Sequence, residues 1–541
     1  IYMHIFIGGL SKMTGMKMDE DYGAADRRIE VETDDEDKQA ERVCDSDDYD
    51  TESNSTVPSR NPSSNCVDSH SPSWPQSYRQ SMDMLTSATP PSINFLRGGP
   101  SATSAYKRSQ PSMPDQSSLT KPLISATNLD KDEVPTSILS TSELPPPPPQ
   151  QCSYAQSVLN AINVLCGIGI LTTPYALKEG GWLSLSLLFV LAIITCYTGI
   201  LLKHCLDSSP GLHTYPDIGQ AAFGIAGRIF VAAILYMELY SSCVEYLIMM
   251  SDNLSTLFPY VHLDFAGIHF NSYQICAITS ALVILPTVWL RDLSLLSYVS
   301  VGGVVTLALV VLCLLWVGVV DQIGFHPSGT AFNLAQVPVT IGLFGFCYGG
   351  HSVFPNIYSS TKDKSRFPSI LIISFALSWF LYTSVAIFGY LMFGDSIKSQ
   401  FTLNMPTKFM ASKVAAWTVV VAPLTKYALT LTPVALSLEE LLPSAQAKSY
   451  GVSLFIRTVL LISTLVVALT VPYFGSVMAL IGSLLVMLVT LILPCACYLS
   501  ILHGRLTKFK IAVCIFTIAV GVVCSIVGTY SALASIADKR A

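Results

Sequence analysis

The sequence predicts an all-α membrane protein, with eleven transmembrane helices behind a disordered acidic N-terminal tail. Three observations carry this reading. Of 541 residues, 51% are hydrophobic and only 13% charged, where soluble domains carry roughly 25% charge. Apolar runs of about 20 residues, the length that crosses a bilayer core, recur through residues 152–541. No such run occurs in residues 1–151, where Asp, Glu, Ser and Pro dominate.

The tail comes first. Residues 1–150 hold 13 basic and 23 acidic side chains, as in "VETDDEDKQAERVCDSDDYD". Such a segment buries too little apolar surface to offset its ordering entropy, so disorder is expected over 1–151. It ends at Pro145–Pro149, which predicts a stiff polyproline spacer. No signal peptide of the usual form is legible, so insertion is expected to depend on the first internal helix.

Eleven segments follow, forming a membrane domain over 152–541. They are Tyr154–Ala176, Trp182–Leu202, Ile229–Leu257, Tyr273–Leu290, Ser297–Val320, Val337–Ile357, Ile370–Phe393, Lys413–Leu436, Leu454–Val471, Ser476–Leu499 and Ile511–Ser535. Lys and Arg set their orientation. With the tail cytosolic, the cytosolic loops hold most of them, including Lys203, Arg228, Lys362, Lys364, Arg366 and Arg505. The connections 251–272 and 321–336, on the other side, hold none. Eleven spans then place the C-terminus opposite the tail.

The first segment contains Gly167 and Gly169 where a helix should be strongest. A helix broken in mid-bilayer bares N–H and C=O groups that lipid cannot satisfy. It persists where a ligand, an ion or a wet cavity meets those groups; close helix packing is the other use of such glycines. The sixth segment, five later, repeats the pattern in "GLFGFCYGGHSVFPNI". Matching breaks in spans one and six predict two inverted five-helix repeats with the site between them, plus one added helix.

Of the 14 cysteines most lie in apolar segments, at spacings that suggest neither a disulfide framework nor a metal site. No P-loop, GxGxxG, HExxH or catalytic triad is legible, so neither an enzyme nor a nucleic-acid partner is expected.

"SVLNAINVLCGIGILTTPYALKEGGW", "GFCYGGHSVFPNIYSSTKD" and "KYALTLTPVALSLEELLP" resemble plant vacuolar amino acid transporters. These belong to the amino acid/auxin permease family and are similar to the vesicular inhibitory amino acid transporters. The resemblance spans residue 153 to the end. It implies a LeuT-like fold, a small-molecule amino acid substrate, a proton as coupling ion with no other cofactor, and residence in the vacuolar membrane, with the plasma membrane as the alternative. Auxin or another organic solute is an alternative substrate. A membrane amino-acid sensor acting through the tail, whose protein partners the sequence does not name, is an alternative of a different class.

Candidate residues follow. The Cys166, Gly167, Ile168, Gly169 and Ile170 backbone is expected to hold the amino acid, with N–H groups on its carboxylate and carbonyls on its ammonium. Asn163, one turn earlier, could bond the ligand, brace the loop or tie helices together. Phe346, Cys347, Tyr348 and Gly349 are candidates for the side-chain pocket, or for bundle packing. His351 lies inside a span, so proton coupling or gating stands beside a neutral histidine fixed by a backbone carbonyl. Glu238 and Glu245, at i and i+7, share a helix face that must turn from lipid, as a proton relay or as a bonded structural pair. In the LeuT-like arrangement spans one and eight frame a sodium site. Lys426 beside Thr425 could take that ion's place and couple transport to protons, or snorkel to the interface.

Overall fold

A computed structural model of the protein describes residues 74, 75, 78, 82 and 152–540, except 266, 267, 291–302, 327, 328 and 444–448. The first segment is two helices. α1 (Tyr154–Leu165) opens on a capping box, in which Ser153 Oγ accepts from Gln156 N–H and the Gln156 side chain accepts from Ser153 N–H. It stops at Cys166, and Gly167 leaves the helical region at φ −91°, ψ −148°. A 3-10 turn (Ile168–Thr172) leads into α2 (Thr173–Gly180), which carries Pro174 in its first turn, where proline's missing N–H costs nothing. The two halves meet at 46°.

The sixth segment breaks by the same grammar. α7 (Val337–Cys347) ends before Gly349-Gly350, and α8 (Phe354–Ser360) restarts with Pro355 in its first turn. Between the two interruptions lie α3 (Ser184–Asp207), α4 (Tyr215–Leu257), α5 (Ser272–Val288) and α6 (Gly303–Val319). α9 (Phe367–Phe393), α10 (Met410–Glu440) and α11 (Tyr450–Thr470) follow. The tenth segment runs as α12 (Phe474–Ile481), two π-helical turns (Gly482–Val486 and Leu488–Ile492) and α13 (Leu493–Ile501). α14 (Lys508–Arg540) closes the chain.

Among the described residues seven helices are long and apolar enough to cross a membrane, and the bent pair α1–α2 makes an eighth. α5, α6 and α7 are apolar but shorter.

The structure departs from the sequence reading in three places. The third helix begins at Tyr215, not Ile229. Hydropathy marks only its apolar part, whereas the true start is a capping box of Thr214 and Asp217 with Pro216. Gly224, at φ +71°, kinks the joined helix, and Arg228 ties the two parts by an ion pair to Asp217 at 2.5 Å. A short antiparallel hairpin, β1 (Leu263–Phe265) with β2 (Ile268–Phe270), sits in the connection after α4, an exception to the all-α expectation. Most of the tail lies outside the described residues, yet Tyr78 and Met82 are 1% and 0% exposed. Tyr78 and Met82, four residues apart, are helical and Trp74 lies in a bend before them, apolar positions hidden by the polar composition around them.

α10 packs along α4 and α6, while α9 packs on α1, α2 and α3. α7 lies against α12 with almost nothing between. A Cβ on Gly342 would strike the Ala479 carbonyl, and one on Gly482 would strike the Gly342 carbonyl. Only glycine permits that approach of backbones.

Candidate functional site

The two interruptions touch. Cys347 Sγ, at the end of α7, lies 3.7 Å from the Gly169 carbonyl. Gly169 is what allows it, since a Cβ there would sit 3.1 Å from Cys347 Sγ and 3.3 Å from Cys347 Cα. One hydroxyl then serves both breaks. Tyr382, buried on α9, donates to the Leu165 carbonyl, and its oxygen is also 3.0 Å from the Cys347 carbonyl. These carbonyls end the first half of each broken helix, where α-helices leave acceptors without partners. Sequence reasoning missed Tyr382, because a tyrosine among apolar residues reads as packing. We expect Tyr382→Phe to leave the Cys347 carbonyl short of a donor and the Leu165 carbonyl with the Gly167 N–H alone, at about 1–3 kcal/mol. A lower melting temperature together with slower uptake in liposomes checks this; a parent-like variant would remove Tyr382 from the site.

Other bared groups near the first break find partners locally. Thr172 and Thr173 hydroxyls donate back to the Gly169 and Ile170 carbonyls at 2.9 and 3.0 Å. Cys166 Sγ donates to Ser378 Oγ at 3.1 Å. The N–H groups of Ile168 and Gly169, first in the 3-10 turn, have no partner among the described residues. They are the donors an anionic group would meet.

A cavity of about 60 Å³ opens beside this turn, several times the space one water needs. Cys166, Gly167, Ile168 and Ile170 supply one wall, Tyr246 and Met249 of α4 another, and Thr418 and Lys426 of α10 a third. Nothing lies within 4 Å of where a Gly167 Cβ would be, so the cavity reaches the backbone there. Lys426 brings a positive charge to an otherwise mostly apolar lining. Among the described residues no carboxylate lies within ion-pair distance of it. Asn163 joins it: the Asn163 Oδ1 and Lys426 Nζ atoms both close on Gly303 of α6, and this buried Oδ1 lacks a hydrogen-bond donor. Spans one, five and eight thus place an amide oxygen and an ammonium at one end of the cavity.

The remaining candidates lie apart from it. Thr425 Oγ1 bonds back to the Ala422 carbonyl of its own helix. Tyr348 is fully buried, stacked on Phe375 and edge-on to Tyr382. Phe346 reaches toward Gly169, and Gly349 faces Val486. His351 is buried with Nε2 3.1 Å from the Thr195 carbonyl and 3.0 Å from Thr198 Oγ1, the geometry of a ring held by α3. Glu245 is fully buried and neither carboxylate oxygen has a hydrogen-bond partner; Glu238 Oε2 is likewise buried without one. Both face the bundle, and Glu245 precedes the cavity-lining Tyr246. No cluster of three His, Cys, Asp or Glu side chains that could hold a metal occurs among the described residues.

The model for the transmembrane amino acid transporter protein family matches residues 150–534, both breaks and the cavity included. The chain belongs to that family. It is 58% identical to the amino acid transporter AVT1D of Arabidopsis thaliana, over 88% of this chain and 89% of that one. It is 54% identical to AVT1E of the same plant, over 91% and 95%. A solved structure of a sodium-coupled sialic acid symporter aligns with a TM-score of 0.41 at 13% identity, covering 70% of this chain and 89% of that one. Like the rest of the amino acid transporter family, the protein is a multi-pass membrane protein and not an enzyme.

Proposed function

We propose that this chain carries neutral amino acids across the vacuolar membrane by alternating access, driven by a proton gradient. In this reading eleven spans form a LeuT-like core of two inverted five-helix repeats plus one helix. The tail is cytosolic and the C-terminus lumenal, as the Lys and Arg distribution favours. The observation that carries the reading is the meeting of two broken helices at Gly169 and Cys347 beside a cavity that holds Lys426. The substrate carboxylate is assigned to the Ile168 and Gly169 N–H groups. A largely apolar wall of Ile170, Met249 and Val310 suits an uncharged side chain. In this reading Lys426, which lines the cavity, takes the part of the coupling cation, because a lysine, unlike a fixed metal, can release a proton.

The lumen of a vacuole is acidic, so proton antiport would load amino acids and symport would release them. The test is the purified full chain in liposomes with an imposed pH gradient and labelled neutral amino acids. Uptake that follows the gradient and collapses with a protonophore is expected. Binding without flux would make the protein a sensor. Uptake that needs sodium and ignores pH would overturn the proton reading.

A further inference from the structure

Among the described residues, Trp74, Pro75 and Tyr78 of the tail meet the bundle. Trp74 Nε1–H donates to the Ser437 carbonyl at 3.0 Å, near the end of α10. Arg228 of α4 donates from Nε to the Trp74 carbonyl and from Nη2 to the Pro75 carbonyl, both at 3.1 Å. The Trp74 and Tyr78 rings pack on Tyr236 of α4 at 5.7 and 5.9 Å between centroids. The Tyr78 hydroxyl donates to the Ser352 carbonyl at 3.3 Å, inside the break between α7 and α8.

These contacts lie on one side of the candidate site and the cavity on the other. On α10 the cavity ends at Lys426, and Ser437 is eleven residues further, roughly 16 Å along the axis. On α4 the tail meets Arg228 and Tyr236, whereas the cavity meets Tyr246 and Met249. The tail contacts lie on the side of the 361–366 connection, because Ser359 Oγ at the end of α8 donates to the His213 carbonyl just ahead of α4, where Asp217 pairs with Arg228. A Tyr78 hydroxyl therefore satisfies a carbonyl that the sixth-span break bares toward the tail, and Tyr78 and Met82 are buried there.

We propose that Trp74, Tyr78 and Met82 act as a built-in stop over the face between α4, α10 and the sixth-span break, and that passage of substrate requires them to leave. The flux part of this rests on the transport reading; the docking part does not. A mere strut would show the same contacts, so the test separates the two.

The full chain is compared with Trp74→Ala/Tyr78→Ala/Met82→Ala and with Tyr78→Phe in liposomes, by three measurements. Trypsin should cut after Arg79 at least tenfold faster in the triple variant. Backbone amides of 349–353 should exchange with deuterium faster, with Tyr78→Phe between parent and triple. Amino acid exchange across the membrane should speed up several-fold. Equal cutting at Arg79 in parent and triple variant overturns the docking. Faster cutting with unchanged or slower exchange of amino acids makes the segment a strut and overturns the stop. Accelerated deuterium exchange at 349–353 with no amino acid flux in any protein upholds the docking, overturns the stop and counts against the transport reading as well.

Discussion

Gly169→Leu should cut uptake by roughly 10- to 100-fold while the protein still inserts in membranes. The argument is geometric. The first added carbon would stand 3.1 Å from Cys347 Sγ and 3.3 Å from Cys347 Cα. The thiol can turn aside; the backbone atom cannot. Three further carbons must then push the two broken helices apart, against the Tyr382 hydroxyl that spans them. Overpacking of this kind costs about 1–3 kcal/mol, roughly 5- to 160-fold if it all falls on the rate, and the expected loss lies inside that span. Gly167→Ala is the control two residues away. Its new methyl meets nothing within 4 Å, so the fold should hold, and the effect should appear as a several-fold weaker apparent affinity because Gly167 lines the cavity. Uptake by Gly169→Leu equal to that of the parent would mean the contact of the two breaks is incidental.

Lys426→Ala should abolish gradient-driven uptake, by roughly 100-fold or more, about 2.7 kcal/mol in a rate ratio. Equilibrium exchange of amino acid, which needs no net proton movement, should fall far less. The ammonium stands beside the cavity and Asn163 Oδ1, with no carboxylate in range among the described residues. A charge placed within a span, and half-buried, is costly and persists where it serves a function. Lys426→Arg sharpens the test. Arginine keeps the charge but does not release its proton, so rescue of driven uptake by arginine would reduce Lys426 to a fixed counter-charge. Uptake by Lys426→Ala that still follows pH would move proton coupling elsewhere, with the buried Glu245 and Glu238 as the next groups to replace.

Much of this arrangement was legible in the chain. Gly167 and Gly169, and five segments later Gly349-Gly350, announced both breaks, because glycine in an apolar run carries a backbone message that needs no tertiary context. Glu238 and Glu245 had to turn inward, since their spacing puts them on one face and lipid refuses both. Tyr382 was illegible for the opposite reason. Its role depends on two carbonyls, 217 and 35 residues away, and nothing local marks it. The side chains of the sixth break were open to two readings, pocket wall or bundle packing, because spacing alone does not say where a break turns a ring; Tyr348 lies among Phe375 and Tyr382. The apolar tail positions Trp74, Tyr78 and Met82 were drowned by the acidic residues averaged with them.

Where Gly342 and Gly482 meet, peptide group presses on peptide group with no layer of side chains to act as a bearing. Surfaces so interlocked do not slide past one another. In the transport reading proposed above, the first half of the sixth span and the tenth span would travel together, and the give would fall to the glycine joints, Gly349-Gly350 between α7 and α8 and Gly167 after α1.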